Sequence, residues 1–401
     1  MVALKQKKVL WAGLAFTAVL AGTLALSGCK NEEQAGEGIA ANTGPKTIKL
    51  GVTSGMTGGT ATYGQSMYRG VQQAVDEVNA KGGVNGKKIE LQVEDNGGKA
   101  DQAVTVAQKL ISSDNVLAII GDLLSSCSLA IAPICQKEQI PMVTPTSTTP
   151  EVTSKGNYIF QTCFDDGFQG RVGARFAMQH LKVKKVAVLI DNKSDYSRGL
   201  AKAFTEEFNK NGKVVAMAYY AAGDSDFRPQ LTSIKGKKPE ALFIPGYYTE
   251  VGLIAQQARQ LGIKQPMFGG DGWESSKLAE IGKSAVEGAY FSTHYYAENN
   301  NPLVQKFVAD YKKRNNDVAP DTLAALAYDA TLIMVDAIKK SGVTNASAAS
   351  RSKLRDALAK TRNFSGVTGN ISMDEKRKVV KPAIMLQVKN KKFAYVTTIK
   401  P

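Results

Sequence analysis

Two clusters of hydroxyl side chains, each following a short apolar run, are the residues best suited to chemistry in this chain. The first cluster lies at residues 125–128 and the second at residues 144–149. An amphipathic stretch joins the two runs, which predicts strand, helix, strand, with both clusters at the same edge of a parallel sheet. Hydroxyl and free backbone N–H groups there suit a small anion such as a carboxylate. Ser and Thr also cap helices and close turns, but two clusters at one edge favour a binding site.

Alternating strands and helices must position these clusters. From residue 47 onward the alternation predicts an α/β fold in which helices cover parallel sheets. The last third breaks the pattern with consecutive helices, so we expect two lobes that share later chain, with more than one crossover. The predicted strands are 48–52, 89–93, 117–120, 142–144, 158–161, 186–190, 214–219, 241–244, 266–269, 384–388 and 393–399, and the predicted helices include 64–80, 196–209, 248–261, 302–314, 322–340 and 353–358.

The amino terminus has the features of an export signal. Lys5, Lys7 and Lys8 precede an apolar run at 9–26, and Cys29 follows Leu-Ser-Gly. This order is typical of a secretory signal peptide, and residues 26–29 resemble the bacterial lipoprotein signal, in which the cysteine is acylated. A signal anchor is the alternative, since the 18 mostly apolar residues 9–26 nearly span a bilayer. The cysteine favours cleavage, so we predict a signal peptide at 1–28, lipidation of Cys29 and a flexible tether at 29–45.

Composition and motifs argue against several classes of function. The chain has 401 residues and a formal charge of +15, but its lysines are scattered in pairs, which favours a solvated basic surface over a nucleic-acid site. The two histidines, His180 and His294, lie in no metal-ligand spacing and beside no nucleophile motif. Residues 59–66 imitate a phosphate loop but carry Gln65 where the lysine belongs. We therefore predict no enzyme, no cofactor, no metal and no nucleic-acid partner.

Several motifs resemble, in order, those of the leucine/isoleucine/valine-binding proteins. They include Ile48-Lys-Leu-Gly-Val, Asn79-Ala-Lys-Gly-Gly-Val-Asn-Gly, the Thr144-Pro turn and Gln169-Gly. The resemblance extends over residues 46–401 and implies a two-lobed type I periplasmic-binding fold with multiple interlobe crossovers. It implies lobe 1 at 46–165 plus about 294–375, and lobe 2 at 166–293 plus about 376–401.

The resemblance also implies ligand-binding residues at matched positions. Ser125, Thr146 and Thr148 would hold the carboxylate of an amino acid, and Asp271 would pair with its ammonium. Three tyrosines would close over the ligand: Tyr63, Tyr196 and Tyr247. The spacing of Tyr196 also fits the buried face of a helix. Trp273 and Tyr248 lie beside matched positions and are expected to shape the side-chain pocket.

The implied function is that of an extracytoplasmic, lipid-anchored and monomeric binding protein of an ABC importer, which delivers an amino acid, branched-chain or similar, to a membrane permease. A sensory lipoprotein of the same fold that binds another polar solute stays open. Leu124 replaces a cysteine of the family, and Asp271 replaces a glutamate, so the amino acid itself stays open as well. Among Cys127, Cys135 and Cys163 we expect at most one disulfide, formed by Cys163 with either partner.

Overall fold

The computed structural model of the protein describes residues 46–401. The predicted signal peptide, the lipidation site at Cys29 and the predicted tether therefore lie outside the described residues. Between residues 46 and 401, no helix combines the length and the apolar character that crossing a membrane requires.

A five-stranded parallel sheet, in the order β2-β1-β3-β4-β5, forms the centre of lobe 1. Strands β1, β3, β4 and β5 are largely buried, as a sheet covered on both faces requires, whereas the edge strand β2 is mostly half-buried. Ile119 lies opposite Met142, so β3 and β4 are neighbours and end together. The strands are β1 (Thr47–Ser54), β2 (Lys88–Asp95), β3 (Ala118–Ile120), β4 (Met142–Thr144) and β5 (Ile159–Gln161).

A seven-stranded mixed sheet, in the order β14-β13-β10-β9-β8-β6-β7, forms the centre of lobe 2. Five of its strands run parallel, and β13 and β14 join one side in antiparallel pairing. Strand β10 was not predicted. The strands are β6 (Lys185–Asp191), β7 (Lys213–Tyr220), β8 (Ala241–Phe243), β9 (Met267–Gly269), β10 (Tyr290–Thr293), β13 (Ala383–Lys389) and β14 (Lys392–Ile399), while β11 (Phe364–Gly366) and β12 (Gly369–Ile371) pair separately.

Helices cover both sheets. In lobe 1, α1 and α11 approach closely at Gly70, where a Cβ atom would lie 2.1 Å from the backbone oxygen of Ala324. In lobe 2, α5 and α6 pack together, and α6 contributes Phe204, whose ring stacks on Phe243 with centroids 4.1 Å apart. The helices are α1 (Ala61–Ala80), α2 (Ala100–Ser112), α3 (Ser125–Lys137), α4 (Glu151–Ser154), α5 (Asp166–Gln179), α6 (Asp195–Phe208), α7 (Arg228–Gly236), α8 (Tyr248–Gln260), α9 (Ser276–Gly282), α10 (Pro302–Arg314), α11 (Thr322–Ser341) and α12 (Ala348–Ala359).

Three segments connect the two lobes. They follow β5, β10 and β12, at about residues 162–165, 294–301 and 372–382. Helices α10 to α12 therefore return to lobe 1 after lobe 2 has begun, and α11 packs on α1. The residue boundaries given above for the two lobes stay a prediction.

The predicted disulfide is wrong. Cys127, Cys135 and Cys163 are all free and buried. Cys127 and Cys135 lie on α3, whereas the Cys163 thiol donates to the backbone oxygen of Ser147 at 3.2 Å. Burial raises the pKa of the Cys163 thiol, which keeps it protonated and unreactive.

Candidate functional site

The hydroxyl clusters do lie together, at the carboxyl ends of β3 and β4, and several of them hold the two loops in place. Thr144 donates to the backbone oxygen of Asp122 at 2.7 Å, and Thr146 donates to that of Leu123 at 2.8 Å. Ser147 donates to the Ser128 hydroxyl at 2.6 Å. The capping and turn interpretation is therefore correct for part of each cluster.

Two hydroxyls of these clusters stay available after these bonds: that of Thr148, which lies beside Asp166, and that of Ser125. Ser125 begins α3, and its side chain makes no hydrogen bond within residues 46–401. The chain turns into α3 at Gly121, whose φ is +136° and whose added Cβ would lie 2.4 Å from the Thr53 backbone oxygen, so only glycine fits. A hydroxyl beside the free N–H groups of a helix start is a suitable partner for a carboxylate.

Residues at the carboxyl ends of the strands of lobe 2 form the opposite wall. Tyr196 lies in the first turn of α6, where the Ser194 side chain accepts a hydrogen bond from the backbone N–H of Ser197 and so caps the helix. Tyr247 directly precedes α8, and its ring stacks on that of Tyr196 with centroids 5.2 Å apart. The Tyr196 hydroxyl accepts a hydrogen bond from the N–H of Gly272 at 3.1 Å. Tyr196 thus lies on the buried helix face and at the site as well.

Tyr63 reaches across from α1 of lobe 1. Its hydroxyl donates to the backbone oxygen of Gly272 and accepts from the N–H of Tyr248 at 3.4 Å. Its ring contacts those of Tyr247 and Tyr248 edge-on. Tyr63 therefore joins the two lobes at the wall of the cleft between them.

A single cavity brings together all seven residues that the sequence predicted to bind a ligand. Its volume is about 30 Å³, and since one water needs about 10–15 Å³ by this measure, it has room for only a few waters. Trp273 and Tyr248 do not line it, and the Trp273 indole instead donates to the Ile244 backbone oxygen at 2.8 Å. The lining residues are Tyr63, Leu123, Leu124, Ser125, Thr146, Thr148, Tyr196, Tyr247, Asp271, Gly272, Thr322, Leu323 and Leu326.

Asp271 forms the polar end of the lobe 2 wall. It follows β9 in a 3₁₀ turn and accepts from Gln169 at 2.9 Å, and its other oxygen lies 3.1 Å from His294 Nε2. Burial lowers the pKa of His294 to about 4, so the imidazole is neutral near pH 7 and does not balance the charge of Asp271. The ring of His294 stacks on Phe164 with centroids 3.5 Å apart.

Asp166 is a second acid of this region, and the sequence argument missed it. It is 1% exposed, and neither carboxyl oxygen has a hydrogen-bond partner within residues 46–401. Burial raises its pKa well above the ordinary value, and the nearby Asp271 raises it further. Its place at the start of α5, directly after the first crossover, is the sequence signal that could have identified it.

Apolar residues of α11 were missed as well. Leu323 and Leu326 line the cavity from lobe 1, together with Thr322. Asp321 caps this helix by accepting from the N–H of Ala324 at 3.0 Å. The described residues contain no group of His, Cys, Asp or Glu side chains that could hold a metal ion.

This architecture and cleft have known counterparts. Residues 47–392 match the family model described as periplasmic binding protein. The chain belongs to the periplasmic binding protein family. A Pseudomonas aeruginosa relative, the leucine-, isoleucine-, valine-, threonine-, and alanine-binding protein, is 32% identical over 333 residues, which are 82% of this chain and 86% of that protein. The predicted type I periplasmic-binding fold is thereby confirmed.

Two solved structures are similar to this chain over most of its length. The leucine-binding protein LivK of Thermotoga maritima is 39% identical, with a TM-score of 0.84, over 88% of this chain and 99% of its own. The branched-chain amino acid transporter substrate binding protein LivJ of Streptococcus pneumoniae, in complex with isoleucine, is 35% identical, with a TM-score of 0.83, over 89% of this chain and 100% of its own. These relatives favour the importer over the sensory alternative.

Proposed function

We propose that this protein captures a free L-amino acid with an apolar side chain in the cleft between its lobes and delivers it to an ABC permease. One observation carries the proposal: a free hydroxyl at a helix start, that of Ser125, faces the carboxylate of Asp271 across a single cavity. A zwitterion needs that polarity, with hydrogen-bond donors at one end and negative charge at the other.

The carboxylate half belongs to Ser125. Its unpartnered hydroxyl and the first N–H groups of α3 are available donors, and the helix dipole favours negative charge there. The Thr146 hydroxyl donates to Leu123, which leaves it as an acceptor towards the cavity. The Thr146 hydroxyl oxygen can therefore accept from the ammonium, and its backbone can contact the carboxylate. Its hydroxyl proton is not available to the ligand.

Asp271 is the partner of the ligand ammonium, and Asp166 lies near Asp271. Asp271 is held in place by Gln169 and the neutral His294, neither of which cancels its charge. A buried ammonium needs such a charged partner to offset its loss of water. The leucines at positions 123, 124, 323 and 326 supply apolar contacts, which favour an aliphatic side chain such as those of the ligands named for the relatives.

Binding requires the lobes to separate. A cavity with room for only a few waters is too small for a branched-chain amino acid, so ligand enters an open form and is enclosed when the lobes meet. Three connecting segments allow such a hinge. Ligand that contacts both walls only in the closed form shifts the population towards it.

Leucine, isoleucine or valine should therefore raise the melting temperature of the purified protein by several degrees, because ligand at 100 times its Kd stabilises by about 2.7 kcal/mol. The amine that lacks the carboxylate, 3-methylbutylamine, and the acid that lacks the ammonium, 4-methylpentanoate, should produce no comparable shift. Differential scanning fluorimetry tests this, and recovery of each amino acid unchanged after incubation tests binding without turnover. No shift with any standard amino acid up to about 1 mM would refute the proposal.

Export is a property of the periplasmic binding protein family, and we propose in addition that Cys29 anchors the mature chain by lipid. The sequence Leu-Ser-Gly-Cys29 after an apolar run supports it. Cys29→Ser should move the protein from the membrane fraction to the soluble exported fraction, since several acyl chains hold a protein to a bilayer. Immunoblots of fractionated cells measure this, with Cys135→Ser as the control that leaves the anchor intact. Membrane retention of Cys29→Ser would indicate a signal anchor.

A further inference from the structure

Ser126 and Asp195 form a hydrogen-bonded pair across the cleft. The Ser126 hydroxyl donates to Asp195 Oδ2 at 2.7 Å, and the backbone N–H of Asp195 donates to the Ser126 oxygen at 3.1 Å. Ser126 is the second residue of α3 in lobe 1, and Asp195 is the first residue of α6 in lobe 2. The starts of the two helices therefore meet through these two side chains.

The pair lies beside the cavity without lining it. Ser126 and Asp195 directly neighbour Ser125 and Tyr196, which do line it, but neither of the pair does. Asp195 is also paired with Arg198 of its own helix, and its carboxylate is one-third exposed. A ligand in the cavity therefore contacts residues adjacent to the pair but not the pair itself.

Buried Glu274 of lobe 2 makes one further carboxylate contact between the lobes, because it accepts from the backbone N–H of Thr322 at 2.8 Å. The remaining contacts are of a different kind. Those of Tyr63 involve the lining of the cavity, whereas Thr62 with Ser275 at 3.1 Å and Thr249 with the Gly59 oxygen at 3.0 Å join neutral groups. In the Ser126–Asp195 pair a carboxylate accepts the bond, which makes it stronger. That carboxylate also lies near the first turn of α3, where the helix dipole favours negative charge.

We propose that Ser126 and Asp195 are a latch that stabilises the closed form and so sets ligand affinity without contacting the ligand. The inference rests on the proposed function, capture of an amino acid between the lobes. Because the latch acts on the equilibrium between open and closed forms, its loss lowers the closed fraction and weakens apparent affinity by the same factor for every ligand. A residue that contacts the ligand would instead change the order of preference among ligands.

Calorimetric titration of leucine, isoleucine and valine tests the latch. Ser126→Ala and Asp195→Ala should each raise all three Kd values by about 3- to 10-fold, the loss of one hydrogen bond, and leave the ratios between ligands unchanged. The double variant should be little worse than either single one, because each substitution already breaks the shared bond. Asp195→Asn keeps an acceptor for Ser126 and should retain part of the affinity.

Matched controls separate the latch from structural damage. Asp226→Asn removes a carboxylate that pairs with Arg228 within lobe 2, and Ser154→Ala removes a hydroxyl that donates to the Glu151 oxygen within lobe 1. Both should bind like the unsubstituted protein, and all variants should melt within about 2 °C of it without ligand. Additive effects in the double variant, or altered ratios between ligands, would overturn the latch.

A second measurement needs no ligand and so separates failure of the latch from failure of the proposed function. Spin labels at Lys137→Cys in lobe 1 and Lys202→Cys in lobe 2, both exposed positions, report the distance between lobes by pulsed electron resonance. Ser126→Ala should shift the distribution of the ligand-free protein towards separated lobes. An unchanged distribution with unchanged Kd values overturns the latch alone, whereas an unsubstituted protein that binds no amino acid overturns the proposed function alone.

Discussion

Asp271→Ala should weaken binding of leucine, isoleucine and valine by about 100- to 5000-fold. Removing one member of a buried, hydrogen-bonded charge pair costs about 3–5 kcal/mol, most of it from the charge left without a partner. Here that charge is the ligand ammonium, because neutral His294 and Gln169 supply no negative charge. Isothermal titration calorimetry measures the change in Kd.

Two further substitutions separate charge from shape at this position. Asp271→Asn keeps an oxygen for Gln169 to donate to but removes the charge, so it should lose most of the same affinity. Asp271→Glu restores the charge one methylene further out and should retain more affinity than either. Binding within about threefold of the unsubstituted protein in Asp271→Asn would mean that the ligand carries no ammonium at this end of the cavity and is a neutral or anionic solute.

Much of the fold follows from local pattern. Strand β4 and helix α10 have the bounds that the sequence predicted, because a short apolar run between turns and an amphipathic repeat after Asn301 are each decisive by themselves. Helix α1 begins earlier than predicted, at Ala61, because Gly64 lies within it and not before it. A Cβ there would lie 2.3 Å from the Gly55 oxygen, so the glycine marks a close approach of backbone, which sequence does not distinguish from a helix boundary.

What the sequence missed depends on contacts between distant segments. Strand β10 has only four residues, of which the last three are buried, so its sequence shows neither alternation nor a long apolar run. Leu323 and Leu326 reach the cavity only because α11 returns to lobe 1 after the second crossover. Asp166 belongs to the site only through its neighbours in space, Asp271 and Thr148. Residues at strand ends were predictable, since the topology of an open sheet fixes which edge they share.

Glu274→Gln should stabilise the protein at alkaline pH and leave it unchanged in acid. Glu274 is 4% exposed, and burial with the nearby Asp321 raises its pKa from 4.5 to about 8. A raised pKa gives stability that is complete below about pH 4.5 and is lost as pH rises through about 8, because the unfolded chain ionises first. At pH 8.5 the variant should therefore be more stable by about 2–4 kcal/mol.

The surroundings of Glu274 make glutamine a suitable replacement. One carboxyl oxygen accepts from the backbone N–H of Thr322 at 2.8 Å, and the other accepts from the Thr293 hydroxyl. A glutamine keeps the first bond and donates its own N–H in the second, as protonated glutamic acid would. The charged groups facing this position are Asp271 and Asp321 and, around the adjoining cavity, Arg69, Glu298, Lys391 and Lys392.

Urea unfolding at pH 5 and pH 8.5 measures the effect. Glu280→Gln, an exposed carboxylate beside Lys277 in the same lobe, is the control and should leave the pH dependence as it is. Other buried acids, such as Asp122 with its pKa raised to about 6, contribute equally to both proteins and cancel in the difference. Parallel pH profiles for the unsubstituted protein and Glu274→Gln would show that Glu274 is not the group that titrates.

The same substitution bears on binding, because Thr322 and Asp321 belong to lobe 1 and Glu274 belongs to lobe 2. We expect opening of the cleft to expose Glu274 to water and so to lower its pKa, in which case the closed form holds more protons than the open form. Acid therefore favours closure, and Kd should fall as pH decreases from about 8 towards 4.5. Glu274→Gln should flatten that dependence, because Asp271, which pairs with the ammonium, and Glu274, which binds a proton on closure, are separate groups.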